Sequence, residues 1–174
     1  MTVVPLTEHR FDEFVDLLRA LADYERLEPP DAAAIERLRR DAFGTGTPDP
    51  STSSGSPRAT SRGEWAPYAT QPRFEAALAL NSKGKAVGYA TWFHTYSTFL
   101  AKPTMYLEDL FVRDDSRESG AGSALFEHVR TLGAQRDCGR MEWQVLDWNT
   151  LAREFYHRRQ ATWMKDWLTY RITY

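Results

Sequence analysis

The sequence predicts a mixed α/β fold (α+β), one sheet covered by helices, and three observations carry that expectation. Periodic segments follow one another in the order β-α-α-β-β-β-α-β-α-β. Two of them, residues 8–26 and 120–136, place their apolar residues on a single 3.6-period face. Two apolar runs also flank Ser82-Lys83-Gly84-Lys85, a turn suited to a hairpin.

Val3 to Leu6 reads as a short first strand. Glu8 to Arg26 follows as a helix because Phe11, Phe14, Val15, Leu18, Leu21 and Ala22 share a face. Pro29-Pro30 stops it, and Asp31 is placed to cap a second helix to about Ala42 with a thinner stripe of Ala34, Ile35, Leu38 and Ala42. From about 44 to 72 the chain is Ser, Thr, Gly and Pro with almost nothing to bury, which reads as a flexible insertion. Trp65 and Tyr68 near its end are candidates to dock onto the body or into a cleft, and a lid is the alternative role for the insertion.

Arg73 to Leu80, Ala86 to Tyr96 and Met105 to Val112 are the next three strands. Gly120 to Arg136 is the strongest helix, with Ala121, Leu125, Val129 and Leu132 in register. Met141 to Leu146 returns as a strand, Thr150 to Arg159 as a helix, and Trp163 to Thr173 as a final strand.

The chain has 174 residues, 42% hydrophobic and 26% charged, which fits one globular domain over 1–174 with a core large enough to need no metal or disulfide. A net charge of -2 argues against a nucleic-acid or membrane-surface binder, which needs a clustered positive field. The single cysteine, Cys138, excludes an internal disulfide and any multi-cysteine metal site, and the four histidines show no ligand spacing, so no metal is expected. Met1 to Pro5 lacks a signal-peptide pattern, and no apolar run is long enough to span a bilayer; the expectation is cytoplasmic.

The chemistry concentrates between Leu107 and Tyr156. Arg117-Glu118-Ser119-Gly120-Ala121-Gly122 joins a strand to a helix. Glycines there let a ligand approach the backbone, and the first N–H groups of a helix have no internal partner, so the segment is a candidate pyrophosphate cradle. Its spacing fits neither a P-loop nor a dinucleotide fingerprint, and a plain turn is the alternative. Glu108 and Asp109 are adjacent carboxylates inside an apolar strand, pointing to opposite faces, so at least one faces the packed side or a cleft. The alternative is a structural pair with Arg113 or Arg140. Asn149 is a helix cap by position, and Tyr156 shares a helical face with Ala152 and Phe155, where a core tyrosine is the common case.

Taken together, Ala20-Leu21-Ala22-Asp23-Tyr24-Glu25, Gly88-Tyr89-Ala90, Tyr106-Leu107-Glu108-Asp109-Leu110-Phe111-Val112, the Arg117 to Gly122 loop, Asp147-Trp148-Asn149 and Phe155-Tyr156-His157-Arg158-Arg159 resemble the GNAT superfamily of N-acetyltransferases. The likeness is nearest to its diamine (spermidine/spermine-type) and thialysine branch, and it covers the chain apart from the insertion. The resemblance implies a mainly antiparallel central sheet with splayed middle strands, flanked by about four helices. It implies acetyl-CoA as co-substrate, bound along Leu110, Phe111 and Val112, over Arg117, Ser119, Gly120, Ala121, Gly122 and Ser123, and near Asn149, Tyr156 and Arg158.

It further implies direct acetyl transfer to a small primary amine, a polyamine, diamine or lysine-like compound. Tyr156 takes the place of the general acid, and Glu108 that of the carboxylate that helps remove the amine proton. Glu25, Glu28 and Asp147 are the candidates for attracting a second ammonium group. A homodimer is also implied, with the aromatic final strand as a possible subunit contact.

Two positions depart from the family pattern: Glu118 stands where the loop normally has glycine, and Gln160 where glycine follows Arg-Arg. Glu118 motivates a second reading, a degenerate acyl-CoA-binding module without transferase activity. A third keeps the enzyme but makes a protein amine the acceptor.

Overall fold

The computed structural model describes residues 1–44 and 72–174. The insertion expected at 44–72, with Trp65 and Tyr68, lies almost wholly outside the described residues. The chain forms two compact units, Met1–Trp143 and Gln144–Tyr174.

In the first unit five strands stand in sequence order: β1 (Thr2–Pro5), β2 (Glu75–Leu80), β3 (Ala86–Ser97), β4 (Lys102–Val112) and β5 (Arg140–Glu142). The first four are antiparallel neighbours, and β5 alone runs parallel to β4. This is the mixed, mostly antiparallel sheet that was expected. Three of the helices belong here: α1 (Phe11–Glu25), α2 (Ala32–Phe43) and α3 (Ala121–Gln135). A 3₁₀ turn over Glu8–Arg10 takes the place of the first turn expected for α1. Asp31 caps α2, accepting the Ala34 N–H at 2.7 Å.

Strand alternation decides which helix covers which face. Tyr89 meets Phe14 of α1 edge-on at 5.2 Å, whereas Trp92 meets His128 of α3 at 5.7 Å. Residues an odd number apart on one strand point to opposite faces, so α1 and α3 cover the two sides of the sheet. On the α1 side Phe11, Phe14, Val15, Leu17, Leu78, Tyr89 and Phe111 form a continuous buried core. Arg39 of α2 ties the two N-terminal helices together, bonding Glu8 at 3.0 Å and lying 4.2 Å over the Phe11 ring.

Opposite Thr91 and Trp92 of β3 stand Asp109 and Leu107, so Glu108 is an extra residue, a β-bulge in β4. The β4–β5 ladder pairs Thr104, Met105 and Tyr106 with Arg140, Met141 and Glu142 and stops just short of that bulge. The strand expected from Met141 to Leu146 is therefore cut short at Glu142. A bulge bends its strand and ends pairing, and β5 has no ladder to follow once β4 turns away.

The second unit holds α4 (Thr150–His157), capped by Asn149, which accepts the Ala152 N–H at 3.1 Å. Gln160 ends the helix in the left-handed region at φ 61°, the conformation the missing glycine would have supplied without strain. The final strand expected from Trp163 to Thr173 does not form. A helix closes its own hydrogen bonds, whereas a strand exists only beside another, and among the described residues this segment has no strand partner.

Candidate active site

Along β4 the backbone alternates between two edges. The N–H of Arg113 donates to the Val87 carbonyl at 2.9 Å and that of Asp109 to the Thr91 hydroxyl at 3.1 Å, so residues 109, 111 and 113 turn their peptide groups toward β3. Leu110 and Val112 consequently turn theirs to the other edge, beyond the point where β5 has ended. That edge offers N–H and C=O groups to an extended, amide-bearing ligand in the way an added strand would use them. Phe111 contributes differently, since its side chain belongs to the core under α1 and is 6% exposed.

β4 leads through a 3₁₀ turn at Asp114–Ser116 into the loop before α3. Gly120 is the N-cap residue, at φ 86°, and a Cβ placed there would meet nothing within 4 Å. It carries no side-chain cap, so the N–H groups of Ala121 and Gly122 in the first turn look out along the positive end of the helix dipole. Ser123 is half-buried in that same turn. Arg117 is held in place from two sides: its guanidinium bonds Asp114 at 2.6 Å and lies 4.9 Å over the Tyr24 ring. The Ser119 hydroxyl donates to the Ser116 carbonyl at 2.7 Å and so stabilises the loop itself. The residues present suit a diphosphate with an extended amide arm.

Glu118 is exposed and sits at φ 64°, a conformation that glycine adopts freely and other residues adopt at a cost of roughly 1 kcal/mol. Glu118→Gly is expected to raise stability by about that amount and to tighten acetyl-CoA binding severalfold by removing a negative charge beside the cradle. Calorimetric titration and a melting curve check both. Unchanged affinity would place the carboxylate too far away to be felt.

The two adjacent carboxylates separate at the bulge. Glu108 is exposed on the bulge, while Asp109 is largely withdrawn from water on the α1 side, accepting the Thr91 hydroxyl at 2.8 Å. Burial pushes the Asp109 carboxyl above the usual carboxylate range, against the pull of that hydrogen bond. Glu25, at the C-terminal end of α1, is raised as well, first by burial and then by the charge of Asp109. Tyr89 points the same way: it is fully buried, and burial followed by the charges of Asp109 and Glu25 raises its phenol. Among the described residues no lysine or arginine acts on the carboxyl of Glu25 or Asp109 as a cause of its shift. Glu25 and Asp109 form an acidic cluster.

Glu28 is exposed, outside that cluster. Reading the sequence alone misses Asp109 as the buried member of the pair, and with it Thr91 and Tyr89. The available signal was the spacing of Tyr89 and Thr91, two apart on one strand face, but nothing local says which strand lies opposite.

The second unit contains the remaining candidates. The Tyr156 phenol is pushed up to about 12, by burial, with Arg159 opposing. Its ring meets Phe155 edge-on at 5.3 Å, and the Arg159 guanidinium lies 3.5 Å over the Phe155 ring. The Asn149 side chain caps α4, and Arg158 is exposed, 3.7 Å from Glu154. Asp147 is exposed, and its carbonyl accepts from Arg153 at 2.9 Å. Among the described residues no cluster of three or more His, Cys, Asp or Glu is placed to hold a metal ion, and no helix is long and apolar enough to cross a membrane.

A match to the acetyltransferase (GNAT) family spans residues 32–161, from α2 through α4. The chain belongs to the acetyltransferase (GNAT) family. The resemblance drawn from the Leu-Glu-Asp, loop and Asp-Trp-Asn motifs is thereby borne out, and the enzyme class is N-acetyltransferase. Over 86 residues the chain is 38% identical to the L-ornithine N5-acetyltransferase NATA1 of Arabidopsis thaliana, a stretch covering 49% of this chain and 38% of that protein. It is 27% identical over 166 residues to the thialysine N-epsilon-acetyltransferase of Sus scrofa, covering 90% of this chain and 82% of that one. A solved probable acetyltransferase, 14% identical, superposes with a TM-score of 0.74 over 100% of this chain and 98% of its own, a likeness of fold.

Proposed function

We propose that this GNAT enzyme moves an acetyl group from acetyl-CoA directly to the primary amine of a small cationic acceptor, a polyamine, a diamine or a lysine-like compound. The acidic cluster of Glu25 and Asp109, with no counter-charge acting on it among the described residues, is the observation that carries the choice of acceptor. Two carboxylates kept partly out of water favour a cation that brings its own positive charge. The relatives named for ornithine and thialysine acetylation agree with that class of acceptor.

When bound, acetyl-CoA supplies the thioester whose acyl carbon the amine attacks. The outward peptide groups of Leu110 and Val112 hold its amide arm, and the N–H groups of Ala121 and Gly122, with Arg117, hold the diphosphate. Glu108, exposed and ionisable on its bulge, takes the proton from the incoming amine, through water. Tyr156, kept protonated by burial, delivers a proton to the departing thiolate. Glu25 and Asp109 hold a second ammonium group of the acceptor.

An amine panel tests this reading. Diamines and lysine-like amines are expected to turn over with kcat/KM at least tenfold above monoamines of equal length, a difference of about 1.4 kcal/mol. Asp109→Asn is expected to raise KM for diamines about tenfold, with a smaller effect on kcat and little effect on monoamines. Equal loss on both amine types would remove Asp109 from acceptor recognition. Turnover of peptide amines in preference to the whole panel would replace the small-molecule reading with the protein-acetylating one.

A further inference from the structure

Tyr24 stands in the last turn of α1, beside Glu25, and is half-buried against the core under that helix. Adjacent residues of a helix diverge by about 100°. The carboxyl of Glu25 feels the charge of Asp109 on β4, whereas the Tyr24 ring carries the Arg117 guanidinium at 4.9 Å. One turn of helix therefore reaches both the acidic cluster and the loop before α3. That turn is closed. The Arg26 N–H donates to the Asp23 carbonyl at 3.3 Å and the Leu27 N–H to the Ala22 carbonyl at 2.9 Å, with Arg26 left-handed at φ 60°. Bonds of this kind seal a helix end, so Tyr24 and Glu25 move as one piece.

A guanidinium is flat, with N–H donors around its rim and a face that stacks on an aromatic ring. At Arg117 the Tyr24 ring takes the face, and Asp114 takes Nη2 at 2.6 Å. Those two contacts set the plane of the guanidinium, and hence the direction in which its rim meets an anion. Replacing the ring by an aliphatic side chain keeps the charge of Arg117 and loses its direction. We propose that Tyr24 is a positioning residue for both substrates: its ring aims Arg117 at the diphosphate of acetyl-CoA, and its helical turn seats Glu25 for the second ammonium group of the acceptor. The first half needs only the co-substrate. The second rests on the reading of Glu25 and Asp109 as the acceptor's cation site.

Calorimetric titration of the full chain with coenzyme A tests the first half. Tyr24→Leu is expected to weaken binding about fivefold, and Tyr24→Phe, which keeps the ring face, to restore it to within about twofold of wild type. In an Arg117→Met background Tyr24→Leu is expected to cost nothing more, because no guanidinium is left to orient. Arg117 stands in a loop, so this background reads the pair even where Tyr24→Leu lowers the melting temperature. Kinetics at saturating acetyl-CoA tests the second half. The KM for a diamine is expected to rise about fivefold in Tyr24→Leu and to recover in Tyr24→Phe, with kcat and the KM of a monoamine within about twofold. Unchanged coenzyme A affinity in Tyr24→Leu, equal loss in Tyr24→Phe, or a full further loss in the Arg117→Met background overturns the role toward the co-substrate. A diamine KM that stays put overturns the role toward the acceptor. Absence of any diamine turnover by the wild type sinks the reading of the acidic cluster and with it the second half, while the calorimetric result stands on its own.

Discussion

Replacing Tyr156 by phenylalanine is expected to lower kcat by at least about 10²-fold, in the range that general acid catalysis supplies, while acetyl-CoA affinity stays within about twofold. The reasoning starts from burial. Water withdrawn from the phenol disfavours the phenolate and pushes the group up to about 12, with the nearby Arg159 opposing only in part. A phenol of that strength is protonated throughout the neutral and moderately alkaline range. It is protonated, and so available as a hydrogen-bond and proton donor, while negative charge develops on the leaving sulfur. The sign for pH follows. An acid works in its protonated form, so raising the pH is not expected to cost activity through Tyr156 until the value approaches about 12. An alkaline fall in kcat centred near the ordinary phenol value of about 10 would show that Tyr156 is not shifted or not the acid. Undiminished turnover in the phenylalanine variant would exclude the role outright. Single-turnover kinetics with pre-bound acetyl-CoA separates a lost proton donor from a slowed product release.

Gly88→Ala is expected to destabilise the fold by about 2–3 kcal/mol and to weaken acetyl-CoA binding at least tenfold. A Cβ at position 88 would stand 2.6 Å from the Phe111 carbonyl oxygen and 2.9 Å from Cγ2 of Val112. The oxygen belongs to the backbone of the strand paired with Gly88, so relief requires β3 and β4 to move apart. The same backbone sets the outward peptide groups of Leu110 and Val112, which is why stability and co-substrate affinity are expected to fall together. Gly133→Ala is the control. Its Cβ would meet the flexible Met105 side chain at 3.4 Å, and alanine is the better helix former, so the variant is expected to stay within about 1 kcal/mol of the wild type. Melting curves and calorimetry on the two variants decide it. A Gly88→Ala protein with unchanged melting temperature would mean that the strands have room to spare.

The acidic cluster links stability to pH in a definite direction. Asp109 and Glu25 have raised carboxyls in the folded chain, so folding favours their protonated forms. Stability from these two groups is therefore greatest below their unfolded values and falls as pH rises through the folded ones. The ammonium group proposed to sit between them would offset that loss at neutral pH.

Much of this was legible from local pattern. The faces of α1 and α3, the Asp31 and Asn149 caps and the hairpin at Ser82 to Lys85 depend on residues close in sequence, and local hydrogen bonds and helical periodicity determine them. The motifs around Leu107 to Val112 and Arg117 to Gly122 were visible for the same reason: a strand leading into a glycine-bearing helix start is a local object. The left-handed backbone at Glu118 and Gln160 followed from the places where glycine was missing.

Other features depended on neighbours far along the chain. That Glu108 is the bulge residue, and Asp109 the buried one, follows from the register of β4 against β3, which no property of Tyr-Leu-Glu-Asp-Leu reveals. The shortened β5 is a consequence of that bulge, and the acidic cluster needs α1, β3 and β4 to converge. The segment from Trp163 to Thr173 carries a strand's alternation and yet forms no strand, because pairing takes a second edge. By itself, then, the sequence determined which residues prefer a helix, a turn or an apolar face, and which family the motifs belong to. Tertiary structure alone decided which carboxylate is buried and which β4 edge stays open, because each of these is a relation between segments that the chain brings together only on folding.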